Sequence, residues 1–224
     1  MIEIKARGNK EAEILLYDDI GDDFFGGISA KAFADELRSL GALTAIDLRI
    51  NSMGGSVFDG VAMHTLLVDN AAKVRVHIDG MAASIASMVA MAGDEITIAE
   101  NAFMMIHKPW VTVIGDADEH RAMADRLDKV EGAIAKSYMR HTDKPMDEIL
   151  EAMAVETWFD ADEAVAFGLA ANVAAASAIA AQGDFSKFHY RHVPEACRTP
   201  ETPKRDGQQL NFAHMQQALR SQNL

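Results

Sequence analysis

A single cysteine, Cys197, stands in the whole chain, which excludes an intramolecular disulfide. Basic residues are also scarce: 21 lysines and arginines face 34 acidic residues, for a formal net charge of −13. A surface of that sign repels a phosphate backbone, so nucleic acid is excluded as a partner. Long apolar runs are missing too. The longest, Met81 to Gly93, is interrupted by Ser84 and Ser87 and is too short to span a bilayer. The first residues, Met1-Ile2-Glu3-Ile4-Lys5-Ala6-Arg7, carry no apolar secretory core. The expectation is a protein of a reducing cytoplasm, away from membranes.

What remains is ordinary for a protein with a real core: 49% hydrophobic and 25% charged residues over a length of 224. That length suits one domain plus a tail. Proline, with only 5 residues, puts three of them between Pro194 and Gly207, the composition of a linker. We therefore divide the chain into a domain at 1–182 and a Pro-rich linker and C-terminal tail at 183–224. The charge divides as well, with 30 acidic and 15 basic residues before position 183 against 4 and 6 after it. This reads as a solvated acidic body with an ordinary tail; a basic tail docking on an acidic surface is the alternative.

Periodicity orders the elements. Glu13 to Tyr17 reads as a first strand, and Ser29 caps a helix through Phe33, Leu37 and Leu40. A β-like run from Ala45 to Ile50 leads into a turn at Asn51–Ser56 and a helix with Val61, Met63, Leu66 and Leu67. Val74 to Ile78 is the next strand, followed by a turn at Gly80 and a helix beginning near Ala83. Glu95 to Ile98 and Phe103 to Ile106 are two more short strands. A long helix from Asp116 to about Arg140 carries an apolar stripe of Met123, Leu127, Val130, Ile134 and Tyr138. That stripe packs on its own domain or mates with another subunit. Met146 to Met153 is a short helix; Asp160 with Glu163 is a capping box, and Gly168 closes the helix that follows. Gln208 to Gln222 forms a marginal helix of its own. Strand–helix alternation of this kind implies an α/β fold with a largely parallel sheet, whose sites lie beyond the carboxyl ends of the strands.

Two segments carry the functional signal: Ile50-Asn51-Ser52-Met53-Gly54-Gly55-Ser56-Val57 and Asp79-Gly80-Met81-Ala82-Ala83-Ser84-Ile85. In each, a β-rich stretch meets small residues before an apolar helical stretch. Ser84 taken alone is a helix cap. Its small neighbours Ala82 and Ala83, with the Ile85 N–H at the helix start, also suit a nucleophile on a sharp strand-to-helix turn. Gly54-Gly55 alone marks a turn, yet glycine lets a backbone N–H approach a ligand closely, so Gly55 and Ile85 can form an oxyanion hole. Ser87 is the comparison residue one turn on.

Of the eight histidines, His107 ends a short apolar strand just before Pro109 and is the best general base. His189 and His192 are spaced to share a metal on a helix, but no ligand cluster accompanies them, so neither metal nor cofactor is expected. Glu156 reads from its surroundings alone as an exposed loop carboxylate. Together these features read as a serine hydrolase; Lys108 and Lys129 leave a Ser–Lys dyad as an alternative.

Four pieces in this order resemble the Clp protease proteolytic subunit family. They are Ile50 to Val57, Gly80 to Ser84, Met105-Ile106-His107-Lys108-Pro109, and Ala161-Asp162-Glu163-Ala164-Val165-Ala166-Phe167-Gly168-Leu169. The resemblance spans roughly residues 13 to 173. It implies a ββα superhelix related to crotonases, with the long helix as a projecting handle between rings of subunits. It also implies Ser84 as nucleophile, His107 as base, Glu156 as the acid, and Gly55 and Ile85 as the oxyanion hole.

There are departures. The family's acid is usually Asp, Met53 stands where Pro is common, and the short segment before the first strand lacks the family's axial loop, which argues against an ATPase partner. With the appended residues 183–224, the chain looks most like the head maturation proteases of phages and prophages. That branch implies an ATP-independent endopeptidase acting on capsid or scaffold proteins, in the cytoplasm or within a prohead, as a homo-oligomer. The alternatives are a housekeeping subunit working with an ATPase, a crotonase-like acyl-CoA enzyme, and a non-enzymatic assembly component.

Overall fold

The computed structural model describes residues 3–7, 10–21, 27–179, 181 and 183–198. Along the chain run β1 (Glu3–Arg7), β2 (Glu11–Leu16), α1 (Ala30–Ser39), β3 (Ala45–Ser52), α2 (Val57–Val68), β4 (Lys73–Ala83) and α3 (Ile85–Ala90). Then follow β5 (Glu95–Ala99), β6 (Phe103–Ile106), α4 (Ala117–Tyr138), α5 (Met146–Ala154), β7 (Thr157–Phe159), α6 (Ala161–Phe167) and β8 (Asn172–Ala174). The main sheet has the order β1-β2-β3-β4-β5-β8 and is parallel except for the β1–β2 pair. This is the mixed α/β class with a parallel-dominated sheet that the strand–helix alternation implied.

Alternation with period two explains which face is core. Ile46, Leu48 and Ile50 of β3 and Val74, Val76 and Ile78 of β4 are buried in one cluster with Phe33, Met63, Leu67, Ile85 and Val89 from the helices. The intervening side chains are charged and pair across the strands. Arg75 reaches Asp47 at 2.7 Å, and Arg49 reaches Asp79 at 2.8 Å. The charged face therefore satisfies its own ions, while the apolar face drives packing.

The last residues of β4 leave the main sheet. Met81 to Ala83 pair in parallel with β6, and β6 pairs antiparallel with β7. The Gly80 turn expected from the sequence is absent: β4 runs through to Ala83, since Met81, Ala82 and Ala83 gain a partner in β6. The direction changes only at Ser84. Three strands were not foreseen. β1 lies where no strand was read, β7 is only three residues long, and β8 lies inside an alanine-rich stretch. β7 and β8 depend on partner strands supplied by distant sequence, while β1 pairs with its neighbour β2.

The caps came out as read. Ser29 accepts from the Ala32 N–H, and Asp160 and Glu163 form a reciprocal capping box, with Gly168 closing α6. Asp116 and Glu119 form a second box at the start of α4. The α4 stripe divides between roles: Ile134 and Tyr138 are buried in the core, while Met123, Leu127 and Val130 line an open cleft. None of the described helices is long and apolar enough to cross a membrane.

Residues 183–198 fold back onto the β4–β6 corner through two short 3-10 turns, Phe185–Lys187 and Glu195–Cys197. Cys197 is fully buried beside Met81 and Met105, so the Pro194-to-Gly207 linker expectation fails for its first residues. The remainder of that linker and the helix expected at 208–222 lie outside the described residues.

Candidate active site

Three strand ends converge on one corner. β4 ends at Ala83 and delivers Ser84; β6 ends at Ile106 and delivers His107; β7 begins at Thr157, just after Glu156. The register Ile106↔Thr157, continued by one residue, sets Glu156 across from His107.

Ser84 has φ 55° and ψ −128°, a conformation that costs a non-glycine residue about 1–3 kcal/mol. The surroundings hold it there. Its N–H donates to the Met105 carbonyl at 2.9 Å, and Ser87 Oγ donates to the Ser84 carbonyl at 2.6 Å. Although Ser84 occupies the cap position of α3, its side chain makes no capping bond. The hydroxyl instead lies 2.7 Å from His107 Nε2. Ser87, by contrast, is tied to the Tyr138 hydroxyl at 2.9 Å deep in the core.

Gly54 and Gly55 explain why this turn needs glycine. Both have positive φ, 97° and 137°. A Cβ on Gly54 would sit 2.8 Å from the Ser84 Cβ and 3.3 Å from the Ile85 nitrogen; one on Gly55 would sit 2.1 Å from the Ile20 carbonyl oxygen. The turn is pinned from the far side: the Ile20 N–H donates to Gly54 O at 2.7 Å, and the Ser56 N–H donates to Ile20 O at 2.8 Å. In such a parallel bridge the N–H of the middle residue, Gly55, points away from Ile20. Gly55, Ser84 and His107 line one mostly apolar cleft of about 800 Å³, walled by Trp110, Leu127 and Val130.

His107 is held down to a pKa of about 4 by burial, with the Glu156 charge opposing and the Arg191 charge adding to the depression. It is neutral at pH 7, so Nε2 can accept the Ser84 proton. The ring meets the edge of Tyr190, with centroids 5.3 Å apart.

Glu156 is not the exposed loop carboxylate its neighbours suggested; it is buried, and its backbone has φ 57°. Oε1 accepts from the Arg191 N–H at 2.7 Å, the His192 N–H at 2.8 Å and Trp158 Nε1 at 3.2 Å, while Oε2 accepts from the Arg191 N–H at 2.9 Å. Among the described residues it makes no hydrogen bond to His107; it acts on that ring only through its charge.

Sequence reasoning missed Tyr190 and the amides of Arg191 and His192. The available signal was Phe185, Phe188 and Tyr190 clustered in a chain that is only 7% aromatic. The other candidates separate from the site. Lys108 Nζ lies 3.1 Å from Glu131, so that lysine is committed elsewhere. His189 and His192 are exposed, and no metal-holding cluster of His, Cys, Asp and Glu occurs among the described residues. Cys197 is buried, which pushes its thiol up to about 11 and keeps it unreactive.

Comparison with known proteins gives the family. Residues 1–177 match the Clp protease family. The chain is also 32% identical over 153 residues to the ATP-dependent Clp protease proteolytic subunit 2 of Thermobifida fusca (strain YX), across 67% of this chain and 72% of that protein. A match over most of the length, and over every strand end that meets at this corner, leaves one conclusion: the chain belongs to the Clp protease family and is a peptidase.

Proposed function

We propose that this chain is a serine endopeptidase that works through an acyl-enzyme at Ser84. The observation that supports it most is the 2.7 Å contact between Ser84 Oγ and His107 Nε2, made by a serine that sits at a cap position yet caps nothing. His107 takes the hydroxyl proton as Oγ bonds to the scissile carbonyl carbon. The carbonyl oxygen becomes an oxyanion facing the N–H groups of Gly55 and Ile85. His107 then gives the proton to the departing amine as the C–N bond breaks, leaving the acyl ester; water reverses the sequence and releases the acid. Glu156, whose charge favours the protonated ring, is the acid that stabilises the His107 imidazolium.

The substrates are capsid or scaffold proteins of a phage or prophage head, cleaved without ATP by a homo-oligomer assembled through α4, in the cytoplasm or inside a prohead. The docked segment 183–198, beyond the family match at 1–177, supports this branch. A second reading, a subunit driven by an ATPase, is favoured by the similarity to the ATP-dependent Clp subunit of Thermobifida fusca.

The test is fluorophosphonate treatment of the native protein, with mass-spectrometric mapping of the adduct. Labelling at Ser84, lost in Ser84→Ala and His107→Ala, is expected; an assembled oligomer that never labels would overturn the reading. Cleavage of capsid protein with no nucleotide present separates the two readings of its role.

A further inference from the structure

Residues 183–198 reach the candidate site, yet the chemistry proposed above has no use for them. They are anchored there. Phe185, Tyr190, Val193 and Cys197 pack with Met53, Met81 and Met105, and Lys187 Nζ lies 3.8 Å from Asp19 on the acidic body. From this platform the segment acts on two of the site's polar groups, His107 and Glu156. The Tyr190 hydroxyl donates to the Met53 carbonyl, one residue before the Gly54 turn that packs on Ser84. The Tyr190 ring covers an edge of His107. The amides of Arg191 and His192 hold the carboxylate of Glu156.

The third contact decides the state of the site. A carboxylate offers about four acceptor positions. Oε1 accepts from the Arg191 N–H, the His192 N–H and Trp158 Nε1, and the bifurcated Arg191 N–H also reaches Oε2, so the segment's amides fix where the carboxylate lies. Held there it makes no hydrogen bond to His107 among the described residues, although continuing the β6–β7 register by one residue sets Glu156 across from that histidine.

Resting on the serine-peptidase reading, we propose that residues 183–198 are a built-in clamp that keeps the site in a low-activity state. They draw Glu156 onto the Arg191 and His192 amides and set the Tyr190 ring against His107. Displacing the segment, by cleavage or by an arriving polypeptide, returns Glu156 to His107 and completes the triad.

The groups facing His107 are Ser84, Glu156, Tyr190 and Arg191, and its neighbour Lys108 is paired with Glu131. Release removes the covering ring and the Arg191 cation and adds a carboxylate partner, and each change strengthens His107 as a base. The cleft reaches Ser84 with the segment in place, so a small probe reports activation rather than access.

The experiment measures the rate of fluorophosphonate labelling at Ser84 against pH in the full chain and two variants. Arg191→Pro deletes the amide that makes two contacts to Glu156. Tyr190→Phe keeps the ring and its packing but removes the hydroxyl. At pH 7, Arg191→Pro is expected to label about tenfold faster or more, with its inflection moved up from about 4 toward the ordinary histidine value. Adding Glu156→Gln to it cancels both changes. Tyr190→Phe is expected to label several-fold faster with its inflection in place.

Parent-like or slower labelling in both variants, with no shift of inflection, overturns the clamp and makes the segment a fixed wall of the site. If Arg191→Pro loses its melting transition, the rate of Tyr190→Phe decides alone. Ser84 unlabelled in every variant overturns the serine-peptidase reading itself, which keeps the two failures distinct.

Discussion

The buried histidine gives the sharpest prediction. His107 sits at about 4 instead of the ordinary 6.5, chiefly because burial disfavours its charged form. At about 1.4 kcal/mol per pKa unit, that depression corresponds to about 3 kcal/mol. This is an upper figure, because His107 borders the open cleft and water there screens part of it. In the unfolded chain the same histidine protonates near 6.5; in the folded protein it stays neutral down to about 4. Between those values the unfolded state binds the extra proton. Stability therefore falls as pH drops from 6.5 through 4, and the slope from this residue ends below that.

Two measurements follow. Labelling of Ser84 should stay level as pH is lowered and decline only near 4, since the base remains neutral until then. Urea melts of parent and His107→Gln, at pH 7 and pH 5, should show the parent losing more stability on acidification. The carboxylates titrate in both proteins, so the difference isolates His107. A labelling inflection near 6.5, or equal acid sensitivity of the two proteins, would refute the placement of this ring in a desolvated site.

Two further substitutions probe how the turn is held. Gly54→Ala forces a side chain onto positive φ and against Ser84; it should cost about 1–2 kcal/mol from backbone conformation alone and slow labelling markedly. An alanine variant that melts and labels like the parent would contradict the close approach of the two turns. Ser87→Ala leaves the buried Tyr138 hydroxyl without its partner and takes one of two donors from the Ser84 carbonyl, for about 1–3 kcal/mol of destabilisation by thermal melt. Its adduct should still map to Ser84, and loss of all labelling would show that Ser87 does more than support the turn.

Much of this molecule is written locally. The caps at Ser29, Asp160 and Gly168, the helices they bound, and the alternating strands β3 and β4 follow from nearest-neighbour chemistry, so a single sequence suffices to find them. Ser84, His107 and the two glycines were also visible, because a strand that runs into small residues declares itself within a few positions. The α/β class follows from the alternation of such segments.

Tertiary structure decided what depends on partners far apart in the chain. β4 passes Gly80 without turning because β6 pairs with its last residues, and that pairing moves the bend onto Ser84. β7 exists because β6 offers an edge, and this buries Glu156 where sequence suggested an exposed loop. The aromatic residues of 185–190 show no periodicity that names their target; only the fold brings Tyr190 against His107 and puts two backbone amides on Glu156. Local sequence sets each residue's conformational preference and chemistry. Which donor meets which acceptor is settled when distant strand ends share a corner, because hydrogen bonds between remote segments have no counterpart in local spacing.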